Sequence, residues 1–315
     1  MLNFRFLLQV VLHIVIVFVV IGSGLSCHGG NSVVPPIPKP PVYPRIDDSP
    51  AWSPDGERII YYHYGISHIN IDGSYDINPD SVGLWMINAD GTNPRLILKG
   101  MGKCARWSPD GNWIVFEMDG QIYKARIVGD KVDSIVQLTT EGRNFFPAWS
   151  SDGRWIVYTG DSSEIWVMRS DGTEKRRIVA EGMMPDLSPN GNSIIFVGLG
   201  PSICRVNLSD TSKIFRLIVL TRTPYAPDRG LGHPRYSPDG AKIVFDSDGI
   251  WIMNSDATNL KYLGLGDSPS WSPDGQKIVY IGSSGKEIDS TNGTVWVMNA
   301  DGSDKRPLTY GPIPR

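Results

Sequence analysis

The chain has 315 residues and a formal net charge of -3, and its 34 glycines and 24 prolines sit beside ten tryptophans and twelve tyrosines. So many aromatics exclude a disordered chain and point to short strands joined by tight turns. The near-neutral balance offers no basic stripe for nucleic acid. Lys175-Arg176-Arg177, the densest basic cluster, reads as a solvated strand edge that discourages sheet-to-sheet pairing.

The first element is an apolar run from Leu7 to Ile21 behind Arg5. At ~1.5 Å per residue it reaches only about 22 Å, short of a bilayer span but suited to a signal-peptide core. Gly22, Ser23 and Gly24 lead into Leu25-Ser26-Cys27, which resembles a bacterial lipobox with Gly24 where that pattern prefers a large aliphatic residue. Residues 1–26 are therefore expected to be a signal peptide and Cys27 the acylated residue. Cleavage after the small residues, or an uncleaved anchor, are the alternatives, and all three put the rest of the chain outside the cytoplasm. Residues 28 to 46 are rich in Gly and Pro and favour extended polyproline conformation, so residues 27–46 form a semi-rigid membrane tether.

Beyond the tether one phrase recurs six times: Trp52-Ser53-Pro54-Asp55-Gly56, Trp107 to Gly111, Trp149 to Gly153, Leu187 to Gly191, Tyr236 to Gly240 and Trp271 to Gly275. Ser-Pro-Asp-Gly suits successive positions of a type I turn, with proline presetting φ and glycine taking the left-handed return. Each phrase leads to a β-branched run such as Arg58-Ile59-Ile60-Tyr61. A second apolar strand such as Ile165-Trp166-Val167-Met168 follows, then a turn such as Asn299-Ala300-Asp301-Gly302 and a last strand. Six four-stranded antiparallel units read as an all-β, six-bladed propeller. The blades fall at about 47–100, 101–141, 142–182, 183–225, 226–266 and 267–311. Each unit carries its own four strands, so the ring is expected to close by packing of blades one and six without strand exchange.

The Trp-Ser-Pro-Asp-Gly turn with its following Ile-Trp-Val-Met-Asn-x-Asp-Gly-Thr phrase resembles the TolB-type propeller repeat over residues 47–311. The resemblance implies a non-catalytic envelope scaffold, periplasmic or surface-exposed, that binds a protein or peptide partner. TolB proteins carry an α/β domain ahead of the propeller, and residues 28–46 are too few and too proline-rich to form one. Similar repeats gate prolyl-oligopeptidase-like serine peptidases, whose catalytic domain has no counterpart here.

A search for chemistry is negative. No Gly-x-Ser-x-Gly elbow, phosphate-cradling Gly-x-x-x-x-Gly-Lys or strand-linked Gly-x-Gly-x-x-Gly occurs, and the repeated aspartates read as turn formers, not paired acid and base. No catalytic residue and no cofactor are expected. The histidines form no spaced metal set: His63 and His68 fall in the long loop of blade one, and His233 precedes the inner strand of blade five. Asp72, Asp76, Asn78 and Asp80 are an oxygen-rich calcium candidate that departs from the calcium-loop pattern. Cys104 and Cys204 lie two blades apart and are expected to be free thiols.

Loops that enter the inner strands gather at one channel mouth. There Arg143, Phe145, Phe146, Met183, Tyr225, Arg229 and His233 combine the charged, aromatic and adaptable apolar groups of protein interfaces. Arg106, Asp186 and Arg235 share one repeat position beside the large inner-strand residue and either pair across the channel or contact a ligand. A monomer docking a partner on the mouth is the leading reading. A lyase or metal-dependent hydrolase with a channel site, or a glycan-binding module, are the alternatives; the enzyme would need His, Asp and Glu converging along the channel.

Overall fold

The computed structural model describes residues 46–69, 74–198, 200–219, 231–282 and 293–309. They form six four-stranded antiparallel sheets, each built from strands of a single repeat. The innermost strands are Asp47–Trp52, Lys103–Trp107, Phe145–Trp149, Met183–Leu187, Gly232–Tyr236 and Asp267–Trp271. Each contacts the innermost strand of the next sheet, and the sixth returns to the first. A small extra hairpin, Ile66–Ile69 with Tyr75–Ile77, interrupts blade one between its second and third strands.

Period-two alternation explains where the core lies. On the second strand of blade one, Ile59 and Tyr61 pack against blade six, while Ile60 and Tyr62 pack against blade two. Every blade repeats this, so six apolar layers fill the six junctions. Burial of each large side chain contributes about 1.5–3 kcal/mol. Both faces of every sheet are covered, which is why the strands read as nearly continuous apolar runs.

The repeated turn is a hydrogen-bond hub. Ser53 Oγ donates to Asp55 Oδ1 and accepts the Arg58 N–H at 2.9 Å, while the Gly56 N–H closes onto the Ser53 carbonyl at 2.9 Å with φ +75°. Ser108, Ser150, Ser188, Ser237 and Ser272 repeat the pattern. The turn also locks neighbours together. Pro54 lies against Gly111, Pro109 against Gly153, Pro189 against Gly240, Pro238 against Gly275 and Pro273 against Gly56. Blade three has Ser151 in place of proline, and open space is left beside Gly191; Ser151 Oγ instead donates to the Pro189 carbonyl at 2.6 Å.

Ring closure uses packing together with side-chain and backbone hydrogen bonds. Asp47 is buried at the seam, where its Oδ2 accepts from Thr309 Oγ1 at 2.7 Å and its N–H donates to the Gly293 carbonyl at 2.8 Å. Among the described residues, no sheet borrows a strand from another repeat.

Candidate functional site

Antiparallel order fixes what gathers at each end of the channel. Innermost strands begin at one mouth, where the loops between second and third strands also emerge, and they end at the opposite face in the serine-hub turns. At the starting mouth every innermost strand carries the same bulge, with pairing shifting between Asp48 and Ala51 in blade one and at equivalent points in the other five. The residue inside each bulge is left-handed: Ser49 (φ 49°), Cys104 (52°), Phe146 (51°), Met184 (53°), His233 (44°) and Ser268 (51°). None is glycine, so each position carries a conformational cost that the surroundings must offset. Neighbouring blades supply the compensation. The Met184 N–H donates to Thr159 Oγ1 at 3.0 Å, the Phe146 N–H to the Glu117 carboxylate, and the His233 N–H to Met184 Sδ at 3.4 Å.

These six side chains converge on the mouth. Ser49 Oγ and Cys104 Sγ lie 3.6 Å apart, and the Phe146 ring from blade three meets the His233 ring of blade five edge-on at 6.1 Å. Phe145 packs beside Phe146 at 6.4 Å and under the Arg143 guanidinium at 5.4 Å. Phe145, Phe146, Met183, Met184 and His233 are all half-buried, and Arg143 is exposed. Arg143, Phe145, Phe146, Met183 and His233 thus gather around one end of the channel, joined by Met184. Tyr225 and Arg229 lie outside the described residues, as does Cys27.

Three placements depart from the sequence reading. His63 is not in a loop; it ends the second strand of blade one, buried, with Nδ1 2.8 Å from Asp47 Oδ1. His233 lies within the innermost strand of blade five instead of preceding it. A convergent His/Asp set also exists: His233 Nδ1 is 2.8 Å from Asp246 Oδ1 and 3.7 Å from Asp267 Oδ1, and one ligand atom from each lies within 4.8 Å of the others. Asp246 ends the second strand of blade five and Asp267 begins the innermost strand of blade six. Their meeting depends on ring geometry, and on Gly232, where a Cβ would stand 2.5 Å from Asp246 Oδ2. Burial opposes the imidazolium, but the two carboxylates outweigh it and raise the His233 pKa. Glu117, in the matching position of blade two, is pushed up to about 7 by burial, against the attraction of Lys103. The mouth therefore holds a carboxyl and an imidazole that both keep their protons to higher pH than they would in water.

The remaining candidates behave differently. Asp76, Asn78 and Asp80 are exposed; Asp80 accepts from Lys99 Nζ at 2.7 Å and Asn78 Oδ1 caps the Asp80 N–H, so two of the oxygens are already engaged, and Asp72 lies outside the described residues. Cys104 and Cys204 are free and buried. Arg106, Asp186 and Arg235 all line a cavity of about 380 Å³ at the turn end of the channel. Among the described residues they form no ion pair; Asp186 Oδ2 instead accepts the Tyr236 N–H at 3.0 Å.

No protein-family model matches the chain. An uncharacterised protein of Agrobacterium fabrum strain C58 is 25% identical over 223 residues, covering 64% of this chain and 74% of the relative. The crystal structure of TolB from Acinetobacter baumannii superposes with a TM-score of 0.64 at 21% identity, covering 81% of this chain; the match spans 65% of that TolB, just under two thirds of its length. A putative TolB from Agrobacterium tumefaciens superposes with a TM-score of 0.57 at 21% identity over 81% of this chain and 90% of its own. The described part of the chain therefore has the TolB-like six-bladed propeller fold.

Proposed function

We propose that the chain is a non-catalytic scaffold of the bacterial cell envelope that docks a protein or peptide partner on the bulged mouth of its propeller. The observation that carries this is the convergence of Phe145, Phe146, Met183, Met184 and His233, half-buried and rimmed by Arg143. Aromatic, methionine and arginine side chains at the centre of a rigid concave surface are what protein partners anchor on. The strained bulges fix them in place before binding, which lowers the ordering cost of association. The likeness to TolB propellers supports an interaction role. In this reading the propeller is a monomer held near a membrane by a lipid on Cys27, with residues 28–46 as spacer.

The test is affinity capture from envelope extract with the propeller (residues 46–315), followed by titration of each recovered protein. The native form should retain one partner with micromolar or tighter affinity, while Phe145→Ala/Phe146→Ala and Arg143→Ala each weaken it at least tenfold. A partner indifferent to all these variants would move the docking face elsewhere. Tethering is tested separately: Cys27→Ala should shift the protein from the membrane to the soluble fraction.

A second reading draws on the His233, Asp246 and Asp267 cluster. One imidazole and two carboxylates are a donor set for a divalent transition ion, which would suit a metal-dependent hydrolase or lyase. Stoichiometric manganese or zinc in the purified protein, lost in His233→Ala, would favour the enzyme over the scaffold.

A further inference from the structure

The opposite face of the channel carries a second candidate site, independent of the mouth. There the six hub turns surround a funnel of about 380 Å³. Its wall is a ring of large residues, one per blade: Trp52, Trp107, Trp149, Leu187, Tyr236 and Trp271. Below that ring Arg106 and Arg235 line the funnel from blades two and five, which face each other across a six-membered ring. Both are almost fully enclosed, at 9% and 6% exposed.

Their hydrogen bonding is the same on both sides. Arg106 Nη1 donates to the carbonyls of Ala105 (3.0 Å) and Ser49 (3.5 Å); Arg235 Nη1 donates to those of Pro234 (3.1 Å) and Pro185 (3.5 Å). These contacts hold each guanidinium without neutralising it. Arg106 Nε and Arg235 Nε have no hydrogen-bond partner within the protein, nor do the indole Nε1 atoms of Trp52 and Trp107 on the same wall. All four orphans are N–H donors. Among the described residues, Asp186 is the only carboxylate lining the funnel, and its Oδ2 is engaged by the Tyr236 N–H.

Two buried cations against one carboxylate leave a net positive charge in a low-dielectric site, which an anion in the funnel would offset. Burial and the opposing Arg235 both depress the Arg106 pKa. Guanidinium forks match the planar, two-oxygen geometry of carboxylates and phosphates. The funnel is larger than a bare ion needs, and its wall of four tryptophans, a tyrosine and a leucine suits an apolar body. We infer that the turn-end funnel binds a small organic anion, its carboxylate or phosphate held between Arg106 and Arg235 and its body against the tryptophan ring.

The experiment titrates the propeller (residues 46–315) with benzoate, phenyl phosphate and neutral benzamide, read by tryptophan fluorescence and by calorimetry. Benzoate or phenyl phosphate should bind saturably, and benzamide at least tenfold more weakly. Whichever of the two anions binds more tightly separates a carboxylate from a phosphate site. Arg106→Gln/Arg235→Gln should abolish the preference for the anion, whereas Asp186→Asn should strengthen anion binding severalfold. Should the double variant not fold, the benzamide comparison and Asp186→Asn still decide. Equal binding of benzoate and benzamide, no binding of either anion, or weaker anion binding in Asp186→Asn would overturn the assignment.

Discussion

Blade three offers a substitution whose effect can be worked out from its five neighbours. Ser151 stands where the other turns have proline, and the glycine it faces, Gly191, has open space where Gly56, Gly111, Gly153, Gly240 and Gly275 each meet a proline ring. Ser151→Pro should fit without strain. The turn keeps its Gly153-to-Ser150 closure and its φ of +69° at Gly153, and no hydrogen bond from the Ser151 N–H is found. Fixing one backbone φ reduces the entropy of the unfolded chain and stabilises by about 0.4–1 kcal/mol. Ring contact with Gly191 buries some 20 Å², adding about 0.5 kcal/mol at ~25 cal/mol per Å². Against this stands the loss of the exposed Ser151 Oγ bond to the Pro189 carbonyl, about 0.5 kcal/mol. The net gain is about 0.5–1 kcal/mol, or roughly 1–4 °C in Tm for a domain of this size. Thermal melts followed by circular dichroism would check it, with Pro109→Ser in blade two as the mirror experiment, expected to lower Tm by a similar amount. A fall in Tm for Ser151→Pro would show that the proline-on-glycine contacts are incidental and that the Ser151 bond is what joins blades three and four.

Other outcomes follow from individual groups. Ser237→Ala removes the acceptor for the Lys242 N–H and the partner of Asp239, and should cost about 1–3 kcal/mol in chemical denaturation. Glu117, raised to about 7, opposes folding when ionised, so a penalty with an upper limit of roughly 3 kcal/mol accrues as pH climbs from ~4.5 to ~7. His233, raised above its usual value, adds stability below ~6.5 that is lost as pH rises through its folded pKa. Stability should therefore decline as pH rises above ~4.5, and Glu117→Gln should flatten the lower part of that slope in melts across pH. Burial pushes the Cys104 thiol up to about 12, and Cys204 is buried too; neither should react with a thiol reagent until denaturant opens the fold.

The repeats were legible in the sequence because their chemistry is local. A serine that bonds within its own turn, an aspartate two residues on and a glycine at positive φ need no tertiary partner, so six copies announce six blades. The extended strands between them follow from alternation alone. The bulge was not legible. Ser49, Cys104, Phe146, Met184, His233 and Ser268 share no preference for left-handed backbone, and that conformation is imposed by acceptors on neighbouring blades, such as Thr159 Oγ1 for the Met184 N–H. The meeting of His233 with Asp246 and Asp267 was hidden for the same reason, since 13 residues separate the first pair and a blade boundary the second. Aligning the six repeats on their large inner-strand residue would have offered a signal. Three residues ahead of it the column is chemically mixed, and the matching second-strand column carries His63, Glu117, Thr159 and Asp246 in four of the six blades, polar residues at or near the end of otherwise apolar strands.

That mixture bears on how a propeller of this kind divides its work. At the turn end, six nearly identical hubs do the same job, and drift such as Ser151 costs a contact without changing the path of the chain. At the mouth, one backbone conformation is held six times while the residue inside it ranges over serine, cysteine, phenylalanine, methionine and histidine. A position under purely architectural demand would be expected to settle on glycine, which takes φ near +50° at no steric cost. Side chains kept at six strained positions, converging closely enough for blade three to touch blade five, are costly to the fold. Buried Ser49, Cys104 and Ser268 use theirs for contacts inside the ring, which leaves the half-buried Phe146, Met184 and His233 as the side chains that the proposed docking function would use.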